Sequence, residues 1–257
     1  PPSPPPLPPG IASVHTVADL TGALANTAVG HMVLASGTYD LIGQLSVTRS
    51  IVIEAAVTGS VVLRVGGGRV LYIQPGSLGV VQLIGFNITG GYDGGWESSG
   101  GGVHVAGGTV VLSSCNIHGN TAQNGGGVFV GGGTVTFESC RIYGNTATYH
   151  GQMWGVGGGA FINGGTVTFN RSEIRSNTAG GCLYTGGDPW EFCVGGTGVF
   201  VNSGTVTFIR SEIVNGGNNV YVRQGATACS FDTILTGLTG VVSACPGSGE
   251  AQHAQPP

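Results

Sequence analysis

One sixteen-residue phrase occurs four times and constrains the fold of this chain more than any other feature. The copies lie at 107–122 (GGTVVLSSCNIHGNTA), 132–147 (GGTVTFESCRIYGNTA), 164–179 (GGTVTFNRSEIRSNTA) and 203–218 (SGTVTFIRSEIVNGGN). Repetition at intervals of this size is typical of chains that stack one supersecondary unit on the next.

Each copy begins with a strict alternation of apolar and polar residues. Val135 and Phe137 alternate with Thr134 and Thr136, which predicts a half-buried strand. A few residues later each copy supplies another apolar position, and a glycine cluster such as GGGVFV opens a further strand. Each unit therefore reads as about three short strands. The later apolar positions are Ile117, Ile142, Ile174 and Ile213.

The spacing between copies predicts a stack of coils. Thr109, Thr134, Thr166 and Thr205 are 25, 32 and 39 residues apart, and the extra residues fall between NTA and the next glycine cluster. A solenoid accommodates such growth as loops at one corner. We therefore predict an all-β parallel β-helix over 11–245, with TVADLTGALAN as an amphipathic N-terminal cap helix. The four isoleucines should then be neighbours in space.

Composition limits the classes of partner. Glycine accounts for 51 of 257 residues, 8% of residues are charged, and the net charge of −4 includes no lysine. So few cationic side chains do not provide the basic surface that binds nucleic acid or anionic membranes. No apolar run is long enough to suggest a membrane span.

The N-terminal part, from Val14 to Gly91, resembles right-handed parallel β-helix proteins of the pectin-lyase-like superfamily. The resemblance rests on TVADLTGALAN, HMVLASGTYDL, LSVTRSIVIEAA and VLYIQPGSLGVVQLIGFNITGG. The later copies are similar to repeats of polymorphic outer-membrane proteins and their algal relatives. The resemblance implies a right-handed solenoid, on which lyases, hydrolases, epimerases, adhesins and scaffolds all occur.

Six cysteines permit three disulfides and indicate an oxidising, extracellular compartment. Cys182 and Cys193 share one loop and are expected to pair. Cys229 and Cys245 are expected to close the C-terminal end. Stacking would bring Cys115 and Cys140 one coil apart, either as a disulfide or as two buried thiols.

Asparagines fall into two sets. Asn120, Asn145 and Asn177 hold equivalent turn positions and are expected to bind backbone groups at a corner. Asn87 and Asn170 begin N-x-S/T sequons, lie beside inward residues and should face solvent. We therefore expect N-glycosylation at both.

Aromatic residues mark the variable loops. Each of the three long loops carries a tryptophan with a tyrosine upstream, and these should gather on one side as a carbohydrate or partner surface. The alternative is that each tryptophan covers its own loop. The residues are Tyr92 and Trp96, Tyr149 and Trp154, and Tyr184 and Trp190.

Two further columns follow from the repeat. One contains His104, Phe129, Phe161 and Phe200 and is expected to point into the core; the alternative turns Val103, Val128, Ala160 and Val199 inward instead. The other is a T-x-T array of Thr134/Thr136, Thr166/Thr168 and Thr205/Thr207, which resembles the flat faces of ice-binding solenoids.

Catalytic signals are weak. The twelve acidic residues are scattered, and the densest charged group is expected to form a salt-bridged ladder. The three histidines nearest the repeats fall in different columns or loops, so we expect no metal and no cofactor. The charged group contains Glu138, Arg141, Arg171, Glu173, Arg175, Arg210 and Glu212; the histidines are His104, His118 and His150.

Both ends are proline-bearing. Residues 1–10 (PPSPPPLPPG) favour polyproline II and resemble hydroxyproline-rich wall glycoproteins of algae and plants, which implies O-glycosylation of the arm. Residues 246–257 read as a tail, and we expect the two ends to mediate a homo-oligomer or fibre. The implied O-glycosylation sites are Pro1, Pro2, Pro4, Pro5, Pro6, Pro8 and Pro9.

The sequence thus predicts a secreted, glycosylated structural protein that assembles with itself. Its loops would contact carbohydrate or a partner. The alternatives are a pectin-lyase-like polysaccharide lyase or hydrolase and an ice-binding solenoid.

Overall fold

The structure, a computed structural model, describes residues 10–95, 98–148, 155–180, 197–215, 219–235, 238–239 and 242–244. It begins with β1 (Ile11–Val14) and α1 (Val17–Ala25), followed by β2 (His31–Leu34), β3 (Gly37–Leu41), β4 (Leu45–Val47), β5 (Ile51–Ala55), β6 (Val61–Val65), β7 (Leu71–Ile73), β8 (Val80–Ile84), β9 (Phe86–Thr89) and β10 (Val103–Val105). The repeated phrases then supply β11 (Thr109–Ser113), β12 (Asn116–His118), β13 (Thr121–Ala122), β14 (Val128–Val130), β15 (Thr134–Glu138), β16 (Arg141–Tyr143), β17 (Thr146–Ala147), β18 (Ala160–Ile162), β19 (Thr166–Asn170), β20 (Glu173–Arg175), β21 (Thr178–Ala179), β22 (Val199–Val201), β23 (Thr205–Ile209) and β24 (Glu212–Val214). The last strands are β25 (Val220–Val222), β26 (Thr227–Phe231), β27 (Ile234–Leu235), β28 (Leu238–Thr239) and β29 (Val242–Ala244).

The strands form all-parallel sheets in which, after β1 and β2, strands that follow one another along the chain belong to different sheets. The first sheet has the order β1-β2-β5-β8-β11-β15-β19-β23-β26-β29. The second is β27-β24-β20-β16-β12-β9-β6-β3, and the third is β28-β25-β22-β18-β14-β10-β7-β4. A fourth, short sheet contains β13-β17-β21. Each strand therefore pairs with its equivalent in the next repeat, an arrangement consistent with a parallel β-helix.

The register places like residues beside like residues. Ile117 pairs with Ile142, Ile142 with Ile174, and Ile174 with Ile213. The prediction that the four isoleucines are neighbours is confirmed.

The apolar half of each strand forms the core. Val135 and Phe137 are fully buried, whereas Thr134 is exposed and Thr136 half-buried, as the alternation predicts. The Phe137 ring stacks on Phe169 at 4.8 Å, and Phe169 stacks on Phe208 at 5.4 Å. Burial of each ring contributes roughly 2–3 kcal/mol relative to exposure, so the repeats stabilise one another.

One left-handed residue turns the chain between the first and second sheets. Ser114, Ser139, Arg171, Arg210 and Asp232 occupy this corner with φ between 46° and 53°. Non-glycine residues adopt this conformation at a cost of about 1–2 kcal/mol, so the corner must be held by its neighbours. The ladder that holds it is described below.

The predicted N-terminal helix is present. Thr16 caps it through a reciprocal pair of hydrogen bonds with Asp19, which satisfies two otherwise unpaired amides. Leu20 is buried, and α1 packs against β1, β2 and β3. The Arg49 guanidinium donates hydrogen bonds to the carbonyls of Ala23 and Leu24 near its end.

Candidate functional site

The aromatic loop surface is described at one position. The Tyr92 side chain is 63% exposed, and its backbone bridges Gly68 and Thr121. The other predicted members, Trp96, Tyr149, Trp154, Tyr184 and Trp190, lie outside the described residues. This surface stays a prediction.

The phenylalanine column points outward, so the expectation that it fills the core is wrong. Val103, Val128, Ala160 and Val199 are fully buried on the inner face of the third sheet. An inward valine at each end of a three-residue strand buries two side chains, whereas the reverse orientation would bury one. The outward residues form an aromatic ladder in the order Tyr72, His104, Phe129, Phe161, Phe200 and Tyr221.

The aromatic ladder is closely stacked. Ring centroids lie 4.7–5.4 Å apart along its length, and the planes of the paired phenylalanine rings are nearly parallel. Stacked rings cover one another's faces, which are the surfaces that a sugar ring would use. Phe161 and Phe200 are also buried, with Val156 beside them in a small apolar cluster. The ladder therefore serves cohesion between coils better than ligand binding.

A polar cluster lies at the N-terminal end of the ladder. The Arg69 Nε donates to the Ser99 carbonyl at 2.8 Å, and Nη2 pairs with Asp93 Oδ2 at 3.1 Å. The Arg69 and Asp93 side chains are 15% and 27% exposed. The His104 Nδ1 lies 3.1 Å from Ser99 Oγ. Burial, with the Arg69 charge added, lowers the pKa of His104 to about 4, so this imidazole is neutral near pH 7.

This cluster holds a loop rather than a reacting centre. Asp93 is paired with Arg69, and both Arg69 and His104 bind the backbone of Ser99, so the groups fix Asp93 and Ser99 against the sheet. A Ser–His contact without an orienting carboxylate is an incomplete nucleophile–base arrangement. Sequence reasoning missed the cluster. The available signal was His104 itself, the one polar ring at a position where the next repeats have phenylalanine.

The predicted charged ladder is formed on the outer face of the second sheet and at the corner between the first and second sheets. Glu173 pairs with Arg141 at 3.3 Å and also with Arg175 of its own strand, and Glu138 pairs with Arg171 at 3.0 Å. Arg175 also lies over the Tyr143 ring, 5.1 Å from its centroid. Such half-exposed pairs are worth at most about 1 kcal/mol each. Two predicted members behave differently from the rest: Arg210 pairs with Asp232, and Glu212 lies beside Glu173.

Cys115 and Cys140 are free thiols, so the bridge considered for this pair is not formed. Stacked equivalent residues carry parallel Cα–Cβ bonds, which leaves their Cβ atoms about 4.8 Å apart, beyond the usual disulfide range of about 3.5–4.5 Å. The Cys140 Sγ contacts the Leu112 carbonyl at 3.2 Å. The hydrogen bond to Cys115, with burial, raises the pKa of the Cys140 thiol.

The two thiols belong to a corner ladder that continues as hydroxyls. Ser172 Oγ donates to the Phe137 carbonyl at 3.1 Å and accepts from the Cys140 amide at 3.1 Å. Ser211 and Thr233 repeat this pattern one and two coils later. Cysteine thus fills a donor position in the first two repeats. Cys229 is buried on β26. Cys182, Cys193 and Cys245 lie outside the described residues, so both predicted pairings stay predictions.

The stacked asparagines form a second corner ladder, as predicted. Asn120 Nδ2 donates to Asn145 Oδ1 at 3.1 Å, and Asn145 Nδ2 donates to Asn177 Oδ1 at 3.0 Å. Each amide also donates to a backbone carbonyl, that of Ile88 or Ile117 for the first two. Asn120 and Asn145 are fully buried.

Both sequon asparagines are on outer faces and half-buried. Asn87 Nδ2 donates to the Gly59 carbonyl at 2.7 Å, and Asn170 Nδ2 donates to Glu138 Oε2 at 2.6 Å. Ser172, the hydroxyl residue of the second sequon, is buried in the corner ladder. N-glycosylation at Asn87 and Asn170 stays a prediction, as does modification of the N-terminal prolines, which lie outside the described residues.

The T-x-T array stacks in register on the outer face of the first sheet. Thr134 pairs with Thr166 and Thr166 with Thr205, while Thr136 pairs with Thr168 and Thr168 with Thr207. These six residues are called the threonine array below. A depression of about 430 Å³ at its N-terminal edge is lined by Thr109, Thr134, Gln74, Ser77 and glycine turns. None of these lining groups titrates.

The described part of the chain contains neither a clustered metal-ligand set nor a helix able to span a membrane. There, no group of three or more His, Cys, Asp or Glu residues is placed to hold a metal ion. Over the same residues, no helix has the length and apolar character needed to cross a membrane.

Fold and surfaces together define a mostly β protein with all-parallel sheets and in-register ladders at its corners. No protein-family model matches the chain, and no curated protein matches it significantly.

Proposed function

We propose that the chain is a structural extracellular protein, a right-handed β-helix rod that assembles with itself and contacts carbohydrate or a protein partner through its aromatic loops. The observation that carries this proposal is the use made of the repeated positions. Phenylalanine, asparagine and Ser/Cys positions each join one coil to the next. The residues that recur from copy to copy are the ones that hold neighbouring coils together. A rod-shaped scaffold requires such contacts.

The charged side chains of the chain are largely engaged in structural contacts, which leaves few of them available for catalysis. The arginines of the charged group are occupied by ion pairs: Arg141 and Arg175 with Glu173, Arg171 with Glu138, and Arg210 with Asp232. The Arg69–Asp93 pair fixes a loop. Because these charged groups already bind one another or the backbone, their arrangement favours a structural role over the polysaccharide lyase or hydrolase alternative.

Assembly is tested on the full chain by sedimentation velocity and negative-stain electron microscopy over a range of concentrations. We expect oligomers or fibres that depend on residues 1–10 and 246–257, because solenoid ends expose strand edges that must be covered or paired. Deletion of either segment should shift the protein toward monomer, whereas the charge change Arg64→Gln on the outer face of β6 should not. A full chain that stays monomeric throughout would overturn the self-assembly part of the proposal.

Loop contacts are tested with immobilised polysaccharides. Trp154→Ala and Trp190→Ala should weaken binding, because an exposed indole contributes much of the contact energy at such surfaces. Ile42→Ala, at a fully exposed residue between β3 and β4, is the matched control. Binding that survives both tryptophan changes would contradict this role for the loops.

The enzyme alternative has its own readout. The chain is incubated with uronate polysaccharides and calcium, and unsaturated products are followed by ultraviolet absorbance. We expect no turnover. Turnover that disappears in Glu173→Gln or Arg175→Ala would overturn the scaffold proposal in favour of the lyase.

Modification is tested by intact mass after secretion from a eukaryotic host. We expect mass loss on endoglycosidase treatment, reduced by one glycan each in Asn87→Gln and Asn170→Gln. Proteolytic mapping without reduction should recover linked peptides for Cys182–Cys193 and Cys229–Cys245. An unmodified secreted chain would contradict the glycoprotein assignment.

A further inference from the structure

The threonine array is one part of a longer outward column. Thr109 pairs with Thr134 at one end and Thr227 with Thr205 at the other, so threonines stack at this position on five successive strands, from β11 to β26. Strand spacing and residue rise set the grid, with hydroxyls about 4.8 Å apart across strands and about 6.6 Å apart along them. The surface is therefore periodic in two directions.

Within the part of the chain that the structure describes, the hydroxyls of the array have no protein partner, except that of Thr207, which lies 3.6 Å from Cys229 Sγ. In the described residues, the side chains of Thr134, Thr136, Thr166, Thr168 and Thr205 make no hydrogen bond to protein, and the first, third and fifth of these side chains are exposed. The corner ladder differs, because the hydroxyls of Ser172 and Ser211 are buried and bound to carbonyls. The repeat thus contains one set of hydroxyls used for cohesion and one set left for the outside.

The chemistry of this face is uniform and stiff. Threonine has restricted χ1 freedom, so each side chain presents one hydroxyl and one methyl with little entropy to lose on binding. The flanking strands continue the two columns without charge, through Val80 and Gln82 on β8 and Val111 on β11. The nearest charged side chain on these strands is Glu138 at the edge, and it is paired with Arg171.

A rigid, uncharged grid of methyls and hydroxyls matches one kind of ligand, a lattice of water molecules held at comparable spacings. The hydroxyls can enter the lattice through ordered water, and the methyls exclude disordered water between them. We propose that the threonine array is an ice-binding surface. This activity does not depend on the scaffold function, because it uses a face of the first sheet that the loops and termini do not need.

The test is thermal hysteresis and inhibition of ice recrystallisation by the full-length protein. We expect both activities in the wild-type chain and their loss in Thr168→Tyr, because a bulky ring at the centre of the grid holds the lattice off the surface. Thr168→Ser should reduce hysteresis, because it keeps the hydroxyl and removes the methyl.

Thr178→Tyr is the matched control. Thr178 is exposed and stacks on Thr146 in the fourth sheet, where a single column makes no two-dimensional grid, so this variant should keep full activity. Circular dichroism and melting temperatures confirm that each variant is folded, and the exposed Thr166→Tyr replaces Thr168→Tyr if the latter is not. Absence of both activities in the wild type, or equal loss in Thr178→Tyr, would overturn the proposal.

Discussion

His104 occupies a ladder position where the following repeats have phenylalanine, and this one ring changes the local chemistry. Its neighbours in the ladder are Tyr72 and Phe129, and the groups that face it include Arg69 and Ser99. The cation and the low solvent access both oppose protonation. The neutral ring therefore makes a hydrogen bond with Ser99 and stacks on its neighbours like an ordinary aromatic residue.

This environment predicts a pH dependence of stability. The pKa of His104 is lowered from 6.5 to about 4 in the folded chain, so between these values the unfolded chain binds a proton that the folded chain does not. The contribution of His104 to the free energy of unfolding is fully present above pH 6.5. It decreases as the pH drops toward 4 and is lost below pH 4. Melting temperatures of the wild type and His104→Phe should be compared across that window.

We expect the melting temperature of His104→Phe to fall less steeply than that of the wild type as the pH drops through this window. Asp19 and Asp40 also have lowered pKa values, through hydrogen bonds with His15 and Arg64 respectively. The ordinary pKa of both carboxyls is 3.8 and folding lowers it, so they titrate below the histidine window. Parallel curves for the two proteins would show that the burial of His104 does not control its protonation.

The buried thiols give a second prediction at this scale. Cys115 and Cys140 should resist a thiol reagent in the folded protein and react after denaturation, because both are shielded from solvent and the pKa of the Cys140 thiol is raised. Cys140→Ser should fold with nearly unchanged stability, since serine fills the equivalent position at Ser172. Peptide mapping without reduction checks this directly: a linked 115–140 peptide would contradict the free-thiol structure.

At the scale of the element, the short strands show what sequence can and cannot decide. The five-residue TVTF-type strands alternate apolar with polar residues, so their inward face was predictable from Val135 and Phe137. The Val128-Phe129-Val130 strand is apolar on both faces, and periodicity alone could not orient it. The Arg69–Asp93 contact was also out of reach, because it depends on the path of a loop between coils.

The asparagine ladder is the element whose loss should cost most for a single polar change. Asn145→Ala removes the acceptor of the Asn120 backbone and side-chain amides and the donor to the Ile117 carbonyl, while Asn177 Oδ1 still accepts from the backbone amide of residue 145. Unsatisfied buried groups cost about 1–3 kcal/mol each, so the free energy of unfolding should fall by roughly 3 kcal/mol or more. Urea denaturation measures the change.

Asn116→Ala is the control for that comparison. Asn116 is half-buried on the outer face of the second sheet, where it donates to Asn87 Oδ1 at 2.9 Å. Solvent can replace this partner, so the loss should stay near the net value of about 1 kcal/mol for one hydrogen bond. Equal losses for the two variants would show that the buried ladder has no special part in stability.

At the scale of the whole molecule, stability is distributed along the stack of paired strands. Each strand of the repeats pairs with its equivalents on either side, as β11 does with β8 and β15. No repeat has a private core, because Phe137 and Ile142 pack into one cluster that continues into the neighbouring coils. Such a structure should tolerate changes in the number of coils better than changes within one coil.

Removal of one coil tests this organisation. Deletion of Thr109–Gly133 takes out β11 to β14 and joins Gly108 to Thr134, so that β15 meets the partners that β11 had on β8. The shortened chain should keep a β-rich circular dichroism spectrum and unfold cooperatively, at a somewhat lower melting temperature because one set of interfaces is lost. Deletion of Thr109–Asn120 removes only part of a coil and should prevent folding, since every later strand would face the wrong sheet. If the whole-coil deletion unfolds the protein as completely as the partial one, the repeats are not interchangeable layers, and the inferences drawn from their stacking lose their basis.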